Sequence, residues 1–326
     1  QTTYKLDAGF NIGLLNDKIT LEGSYYRNET EDLIDDVKIP AYSGFTSYKE
    51  NSGATLNEGF EVALTSTLFQ NKDWMVTFMA NLSSNRSKIT ELSEEMNAYN
   101  ETILAEYEKE DSKYKDVLSR PLILYYEGKS LSAIYAVRSE GIDPANGKEL
   151  YYDKNGNYTY DFSYDNEVIC GNTRPKIEGV FGTSLNWKGL SFSLNFRYQL
   201  GADVFNEALF NKVENISTEG LNKNQDKRAL YERWKEPGDL VRFKDIANAA
   251  STPMSSRFVQ EENVLTLESV YLGYEFYDGW IQKLGLSNLK VQVSMRDVFR
   301  ASSIKSERGI SYPFARSLEA GLSFNF

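Results

Sequence analysis

The sequence contains no histidine, and Cys170 is its only cysteine among 326 residues. Histidine is the commonest general acid or base and a frequent metal ligand, so its absence argues against metal chemistry and histidine-based catalysis. Cys170 has no partner for an internal disulfide, and we interpret it as a bystander. We therefore predict no metal site, no cofactor and no enzymatic activity.

Long hydrophobic runs are also missing. No apolar segment approaches the roughly 20 residues that a membrane-spanning helix needs, and the mean hydropathy is -0.49. Membrane-spanning strands are not excluded, because such a strand needs an apolar residue only at every second position. The 36 basic and 47 acidic residues give a net charge of -11, which argues against a nucleic-acid partner.

Residues 317–326 alternate strictly between apolar and polar or small side chains. In a strand, successive side chains point to opposite faces. One predicted face therefore holds Leu318, Ala320, Leu322, Phe324 and Phe326. Lipid suits this face and water suits the other, as in the strands of an outer-membrane β-barrel.

The same alternation recurs in segments that short turns join into β-hairpins. It predicts about nine strands, over 4–14, 19–25, 60–68, 74–82, 177–187, 190–200, 265–276, 289–295 and 318–326. A change of phase near Glu268 and Ser269 predicts a β-bulge. The apolar phases contain no charged residue, although 25% of the chain is charged. The opposite phases carry Asp7, Glu22, Glu61, Glu178, Arg197, Lys290, Arg296 and Glu319.

Short and long connections alternate along the chain. The predicted turns at 16–18, 71–73 and 188–189 are tight, whereas the polar connections at 29–55, 87–175, 201–261 and 299–314 are long. Outer-membrane barrels have short periplasmic turns and long extracellular loops. The long regions 87–175 and 201–261 are therefore predicted to be extracellular.

Three of the four tryptophans, Trp74, Trp187 and Trp280, lie beside proposed short turns and in the apolar phase. Aromatic residues at one level are typical of the girdle at a membrane boundary. Core packing in a soluble β-sandwich is the alternative explanation, because buried tryptophan is ordinary there. Trp234 lies in a long loop.

The number of strands bears on completeness. Nine strands, or eleven if residues 129–153 add a hairpin, are an odd number, whereas a bacterial single-chain barrel closes with an even number. We therefore expect the chain to be the C-terminal portion of a larger barrel, with the strand that closes against the last one missing. Gln1 leads directly into a strand pattern, so we expect that an export signal was removed or that the true start lies elsewhere.

The long region 87–175 contains the remaining candidate features. Residues 89–120 have helical spacing and a charged stretch at 106–111, which we interpret as a solvated face rather than a site for a cation or a partner. Asp153 begins a segment that resembles the start of a calcium loop, but a hairpin turn at Asn155 and Gly156 explains it better. The loop tyrosines could stack on a ligand or on one another, and we favour self-packing. They are Tyr125, Tyr126, Tyr151, Tyr152, Tyr158 and Tyr160.

Seven segments, in their order and spacing, resemble the C-terminal barrel of SusC-like TonB-dependent transporters of the Bacteroidota. They are Leu56-Asn57-Glu58-Gly59-Phe60-Glu61, Asn85-Arg86-Ser87-Lys88-Ile89, Gly141-Ile142-Asp143-Pro144-Ala145-Asn146-Gly147, Arg174-Pro175-Lys176, Arg233-Trp234-Lys235-Glu236-Pro237-Gly238-Asp239, Ser269-Val270-Tyr271-Leu272-Gly273-Tyr274 and the C-terminal strand. Together they cover nearly the whole chain.

The resemblance implies a 22-stranded barrel that an N-terminal plug domain fills, and the plug is absent from residues 1–326. It also implies import of oligosaccharides or peptides across the outer membrane, driven through TonB, which acts on a region outside this chain. A SusD-like surface lipoprotein is the implied partner. The terminal Phe326 and its alternating neighbours resemble the signal that the barrel assembly machinery reads.

We therefore predict an all-β transmembrane barrel portion that serves nutrient import in the outer membrane, in contact with lipid and lipopolysaccharide. The predicted lumen lining includes Asn195, Arg197, Gln199, Gln292 and Arg296. The main alternative is a secreted β-sandwich that binds carbohydrate. A glycoside hydrolase is a third possibility, although 47 acidic residues without a defined spacing carry no specific signal for it.

Overall fold

The computed structural model describes residues 1–38, 47–51, 53–107, 121, 124–216, 224–248, 250–277, 279–305 and 316–326. Its main element is a sheet of nine antiparallel strands. These strands are β1 (Thr2–Leu14), β2 (Ile19–Glu31), β5 (Ala54–Gln70), β6 (Trp74–Glu91), β12 (Ile177–Trp187), β13 (Leu190–Phe205), β14 (Val259–Phe276), β15 (Asn288–Ser302) and β16 (Ser317–Asn325). Their order in the sheet is β1-β2-β5-β6-β12-β13-β14-β15-β16. The nine predicted strands and their antiparallel arrangement are confirmed.

The remaining elements lie in the connections. The short strands are β3 (Ile34–Lys38), β4 (Ser47–Asn51), β7 (Ala133–Val137), β8 (Ser139–Ile142), β9 (Glu149–Tyr152), β10 (Tyr158–Thr159) and β11 (Glu167–Asn172). The α-helices are α1 (Glu94–Tyr107), α2 (Glu207–Leu209) and α3 (Gly279–Lys283). Single 3-10 or π-helical turns form at Tyr164–Asn166, Phe210–Glu214, Lys227–Leu230 and Ser256–Phe258. Among the described residues, no helix has the length and apolar character needed to cross a membrane.

The strand register places the apolar phases on one continuous face of the sheet. Trp187 lies opposite Trp74 on β6 and Leu190 on β13, and Leu289 on β15 lies opposite Phe324 on β16. This apolar face is open, since Leu318 is 72% exposed. A register shift between Leu267 and Ser269 forms the predicted bulge and restores the apolar phase after it.

All the short connections lie at one end of the sheet, which we call the short-turn end. Lys188 and Gly189 form a two-residue turn with φ values of 43° and 89°, as a type I′ hairpin turn requires. The connection between β14 and β15 differs from the prediction, because it contains α3 and places Trp280 on that helix instead of in a strand phase. Residues 277–287 are numerous enough to form a helical turn, which hydrogen bonds from Leu284 and Gly285 close.

The long connections lie at the opposite end, which we call the loop end. The strands reach further into them than the alternation predicts, since β6 ends at Glu91 and β13 at Phe205. In β6 backbone pairing continues although residues 83–88 are polar on both faces. In β13 a register shift between Gln199 and Ala202 interrupts the alternation, so in neither strand does the apolar pattern report the pairing. The predicted helix over 89–120 is shorter, because α1 begins at Glu94, and residues 108–120 lie outside the described ones.

The prediction of a hairpin at 129–153 is only partly right. A hairpin does turn at 143–147, but its strands are β8 and β9, and β7 pairs instead with β11. These strands form separate small sheets, so they do not raise the main sheet to eleven strands. The predicted turn at Asn155 and Gly156 is confirmed between β9 and β10. Asp153 accepts hydrogen bonds from the backbone N–H groups of Asn155 and Asn157, both at 2.8 Å.

Candidate functional site on the polar face and in the loops

The five residues predicted to line a lumen, Asn195, Arg197, Gln199, Gln292 and Arg296, all lie on the face opposite the apolar face, which we call the polar face. The side chains of Asn195, Arg197, Gln199 and Gln292 join neighbouring strands. Asn195 Nδ2 donates to Ser269 Oγ at 3.0 Å, and Gln199 Nε2 donates to Glu178 Oε2 at 3.2 Å. Arg197 forms an ion pair with Glu268, and Tyr271 donates to Gln292 Oε1 at 3.1 Å. The polar face therefore presents donors and acceptors that cross-strand contacts hold in place.

A groove of about 700 Å3 runs across the polar face of β1, β2, β5 and β6. Its polar lining includes Asn11, Glu22, Ser24, Glu61 and Asn81. Glu22 lies opposite Ala63 and Glu61 lies opposite Ser24, so the two carboxylates are diagonal neighbours across β2 and β5. Asn11 Nδ2 donates to Glu22 Oε1 at 3.0 Å. Carboxylates and amides in this arrangement can accept and donate hydrogen bonds to hydroxyl or amide groups of a solute.

Glu22 and Glu61 lie in the polar phase of the sequence but are not among the predicted lumen residues. The signal for them was the alternation itself, because it assigns both to the face that carries the nominated lumen residues. Metal binding has no support in the described part of the chain, where no three acidic, cysteine or histidine side chains are grouped. The amides and carboxylates that line the groove make it a surface for hydrogen bonding.

Three buried charged residues hold the long connections together, and we call them the ionic core. Arg257 Nη2 lies 2.7 Å from Glu149 Oε2 and 2.8 Å from Glu214 Oε1. The side chains of Glu149 and Glu214 are 5% and 0% exposed, and that of Arg257 is 11% exposed. Glu149 lies in β9, Glu214 in the π-helical turn Phe210–Glu214 and Arg257 in the Ser256–Phe258 turn, so one guanidinium joins three segments.

Hydrogen bonds satisfy most of the remaining polar atoms of the ionic core. Thr252 Oγ1 donates to Glu214 Oε1 at 2.9 Å, and Arg257 Nη1 donates to the backbone oxygen of Arg242 at 2.6 Å. The two carboxylates raise the pKa of Arg257, against the opposing effect of its burial. Burial, reinforced by Glu149, raises the pKa of the nearby Tyr151 hydroxyl. Removing one partner of a buried ion pair leaves a desolvated charge, so the three segments depend on one another through the ionic core.

Two of the segments that carry the family resemblance dock on each other. Trp234 Nε1 donates to the backbone oxygen of Pro144 at 3.0 Å, and the N–H of Gly238 donates to the same oxygen at 2.9 Å. Gly147 lies against the Trp234 ring, because a Cβ placed there would come within 2.5 Å of ring carbon. The loop tryptophan is therefore a packing residue that joins the 141–147 turn to the 233–239 turn.

A second pair of such segments also makes contact. Arg174 Nη1 donates to Asn85 Oδ1 at 2.8 Å, and Asn85 Nδ2 donates to the Tyr26 hydroxyl at 2.7 Å. The segments of the resemblance thus meet in space although they are far apart in sequence. Neither these contacts nor the ionic core could be read from the sequence, because long-range pairing among 47 acidic residues has no local signal.

The nominated loop tyrosines mostly pack on other aromatic rings. Tyr125 contacts Tyr99 with ring centroids 5.6 Å apart, and Tyr126 contacts Tyr135 at 5.4 Å. Tyr151 is buried against Phe162, and Tyr152 packs on Tyr158 and bonds to Glu140. These contacts favour self-packing of the loop tyrosines. Their contact with a ligand stays a prediction, and the buried Tyr151 could reach a ligand only after the loops rearrange.

The tryptophans of the predicted girdle lie at the short-turn end. Trp74 and Trp187 are stacked with ring centroids 5.1 Å apart, and both rings are partly exposed on the apolar face. Trp280 on α3 packs edge-on against Phe276 at 5.7 Å. The three rings are thus associated with one end of the sheet, and their placement at a membrane boundary stays a prediction.

The residues predicted to form the barrel-assembly signal lie on or beside β16. Leu318, Leu322 and Phe324 are exposed on the apolar face together with Ala320, and the Phe326 ring lies 5.7 Å from that of Phe324. Recognition of this strand by the assembly machinery stays a prediction.

Comparisons with known proteins give a consistent picture. No protein-family model matches the chain. The TonB-dependent receptor P3 of Formosa agariphila is 24% identical over 316 residues, which are 90% of this chain and 29% of that receptor. The TonB-dependent receptor SusC of Bacteroides thetaiotaomicron is 25% identical over 339 residues, covering 100% of this chain and 32% of that receptor.

Solved structures also resemble this chain. The RagAB peptide importer in its closed-closed state matches 99% of this chain and 35% of the importer chain, with a TM-score of 0.76 and 25% identity. The chain therefore spans about a third of the length of the proteins it matches. These likenesses confirm the resemblance drawn from the sequence: the chain is similar, over nine tenths or more of its length, to the C-terminal barrel part of SusC-like TonB-dependent receptors.

Proposed function

We propose that this chain forms the C-terminal wall of an outer-membrane importer of the SusC type, which takes up an oligosaccharide or a peptide. One observation carries the proposal: a single nine-stranded antiparallel sheet has a continuous apolar face on one side and a hydrogen-bonding polar face on the other. Such a sheet suits a barrel wall between lipid and a polar lumen. The named relatives are receptors and transporters, which supports import as the general activity.

The partners follow from the resemblance. We propose a SusD-like surface lipoprotein at the loop end, TonB acting through a region outside this chain, and the barrel assembly machinery acting on β16. The long connections and the ionic core lie at the loop end, which supports contact with a surface partner there. The proposed location is the outer membrane of a Gram-negative bacterium of the Bacteroidota.

The β-sandwich alternative has less support. A sandwich buries its apolar face against a second sheet, whereas Leu6, Phe10 and Leu322 on the apolar face are 58%, 53% and 71% exposed. The other sheets in the described residues have only two or three strands, and they belong to the long connections. A lipid environment accounts for this exposed apolar face, so we do not propose a secreted module.

The proposal can be tested with the complete polypeptide that contains this chain. A strain that lacks its gene should lose uptake of one fluorescent substrate class, either mixed oligopeptides or mixed oligosaccharides, and regain uptake when the gene is restored. The complete protein should fractionate with the outer membrane and require detergent for extraction. A protein that stays monodisperse without detergent, or a deletion that leaves uptake of both classes unchanged, would overturn the proposal.

A further inference from the structure

The sheet contains an opening near its loop end, between β6 and β12. β12 begins at Ile177, and its last paired residue on this side is Glu178, which lies opposite Ser83. From Ser83 toward the loop end, β6 continues without pairing to β12. At Ile89 its backbone forms hydrogen bonds with Gly128 and Lys129, at 2.7 and 2.9 Å. The space between measures about 730 Å3, and residues of 84–88 and 172–177 line its two sides. We call it the wall opening.

Basic side chains predominate in the wall opening. Its lining includes Arg86, Lys88, Arg174 and Lys176 and only two acidic residues, Glu58 and Asp203. Lys176 Nζ lies 3.3 Å from Glu261 Oε2, and Arg174 donates to the neutral Asn85. Arg86 and Lys88 are exposed, and neither forms an ion pair within 4.0 Å in the described part of the chain. Glu58 lies directly opposite Arg86 across β5 and β6, whereas the residue opposite Lys88 is the apolar Leu56. Positive charge is therefore in excess in the wall opening.

The position of these cations relative to the apolar face is informative. Arg86 and Lys88 continue the row of side chains that begins with Trp74 on β6, so they lie on the apolar side of the sheet. Trp74 and Arg86 are separated by 86 - 74 = 12 residues. With a rise of about 3.3 Å per residue and a strand tilt of about 40°, this spacing spans roughly 30 Å across a membrane. The apolar band of an outer-membrane barrel is about 25 Å tall, so the two cations lie just beyond it.

We infer that the wall opening binds the phosphate group of a glycolipid in the outer leaflet of the membrane. A lipid phosphate at this level would reach Arg86 and Lys88 from outside, and the guanidinium fork of arginine matches phosphate oxygens. Phe60, which is 44% exposed, and Ile177 also line the opening and offer apolar contacts for the rest of the lipid. The inference rests on the proposed outer-membrane location and adds a lipid site that transport does not require.

The test uses the complete protein in detergent, titrated with a phosphorylated lipid A, with its dephosphorylated form and with inorganic phosphate. The double variant Arg86→Gln/Lys88→Gln should bind phosphorylated lipid A at least tenfold more weakly than the wild type. The matched control Lys18→Gln/Lys72→Gln removes the same charge from exposed residues at the short-turn end and should bind as the wild type does. Binding by the wild type should weaken as salt is added.

Three results would overturn the inference: equal binding by the Arg86→Gln/Lys88→Gln variant, equal binding of the dephosphorylated lipid, or full competition by inorganic phosphate at the same concentration as the lipid. The last result would identify a solute phosphate as the ligand instead of a lipid. Both substitutions are at exposed positions, and a heat-dependent shift in electrophoretic mobility checks that each variant is folded. Because binding is measured in detergent, a failure here is distinct from a failure to find the protein in the outer membrane or to detect uptake.

Discussion

The short-turn end of the nine-stranded sheet and its loop end are joined by the same strands, yet different interactions hold them. At the short-turn end, neighbouring residues such as Lys188 and Gly189 reverse the chain, and aromatic pairs such as Trp74 and Trp187 pack across adjacent strands. At the loop end, a buried ion pair joins connections that are far apart in sequence, as Glu149 and Arg257 show. Tight turns and aromatic packing between strands therefore organise one end, and buried ionic contacts between connections organise the other.

Substitutions at the two ends of the sheet should therefore differ in their effect on stability. Substitution at the short-turn end should affect a hairpin turn and the apolar face. Substitution at the loop end should release connections whose order depends on the ionic core and not on the main sheet. Buried charges are sensitive to the loss of a partner, because the remaining charge stays desolvated. The largest effects are therefore expected at the loop end.

Replacing Arg257 by leucine should have the largest effect. Arg257→Leu leaves Glu149 and Glu214 buried without their cation, which costs about 3–5 kcal/mol. We expect the amides of 149–152 and 252–258 to lose protection against hydrogen exchange, while those of β12 and β13 keep it. Proteolysis should then cut within the long connections.

Arg242→Gln is the matched control for Arg257→Leu. Arg242 lies 3.7 Å from Glu232, and the two side chains are 70% and 56% exposed. Exposed pairs contribute about 0–1 kcal/mol, so this variant should exchange as the wild type does. Equal protection in Arg257→Leu and Arg242→Gln would show that the ionic core does not order the loops.

Glu167 at the start of β11 should make the loop end sensitive to pH. Its Oε2 atom is shielded from water and has no hydrogen-bond partner among the described residues, and burial raises its pKa to about 7. Tyr126, Tyr164 and Cys170 are the titratable groups that interact with it. Because the folded pKa lies above the unfolded value, the stability contribution is complete below about pH 4.5 and is lost as pH rises through about 7, by at most about 3 kcal/mol.

The variant Glu167→Gln keeps a neutral side chain at every pH. Exchange protection of β7 and β11 should fall between pH 5 and pH 8 in the wild type and stay constant in this variant. The chain has no histidine, so few other side chains titrate in this range. A wild-type protection that rises with pH, or that changes equally in both proteins, would contradict the assignment.

The contact between Gly147 and Trp234 gives a smaller effect. Gly147 and Gly156 both have positive φ, at 71° and 82°, but a Cβ at Gly156 meets nothing within 4 Å. Gly147→Ala and Gly156→Ala therefore share a backbone penalty of about 1 kcal/mol, and only the first displaces the Trp234 ring. We expect Gly147→Ala to be about 2 kcal/mol less stable than Gly156→Ala because of this overpacking. Denaturant unfolding followed by exchange at 141–147 and 233–239 would measure the difference.

Part of the fold could be predicted from the sequence, and part of it could not. The strands of the main sheet, its two faces and the bulge after Leu267 follow from alternation, which is a local signal. The alternation misses the loop-end part of β6 because both of its faces are polar there, and that of β13 because a register shift after Gln199 breaks the pattern. The sequence pairs the segment of β7 with Leu150 and Tyr152 of β9 across the 143–147 turn, whereas its actual partner, β11, begins further along the chain at Glu167. Glu149, Glu214 and Arg257 were missed because nothing in their local sequence marks a buried pair.

The stacked tryptophans at the short-turn end should give the smallest effect and the most specific one. A double-mutant cycle with Trp74→Leu and Trp187→Leu keeps both positions apolar and removes the aromatic pair. We expect a coupling energy of about 0.5–1.5 kcal/mol, typical of paired rings, from reversible unfolding in lipid vesicles.

Lipids brominated near the headgroup should quench the fluorescence of Trp74 and Trp187 more strongly than that of Trp234. Each tryptophan is measured in a variant in which phenylalanine replaces the other tryptophans. Stronger quenching by lipids brominated at the bilayer centre would contradict the girdle, because aromatic belts lie at the interface and not in the hydrocarbon.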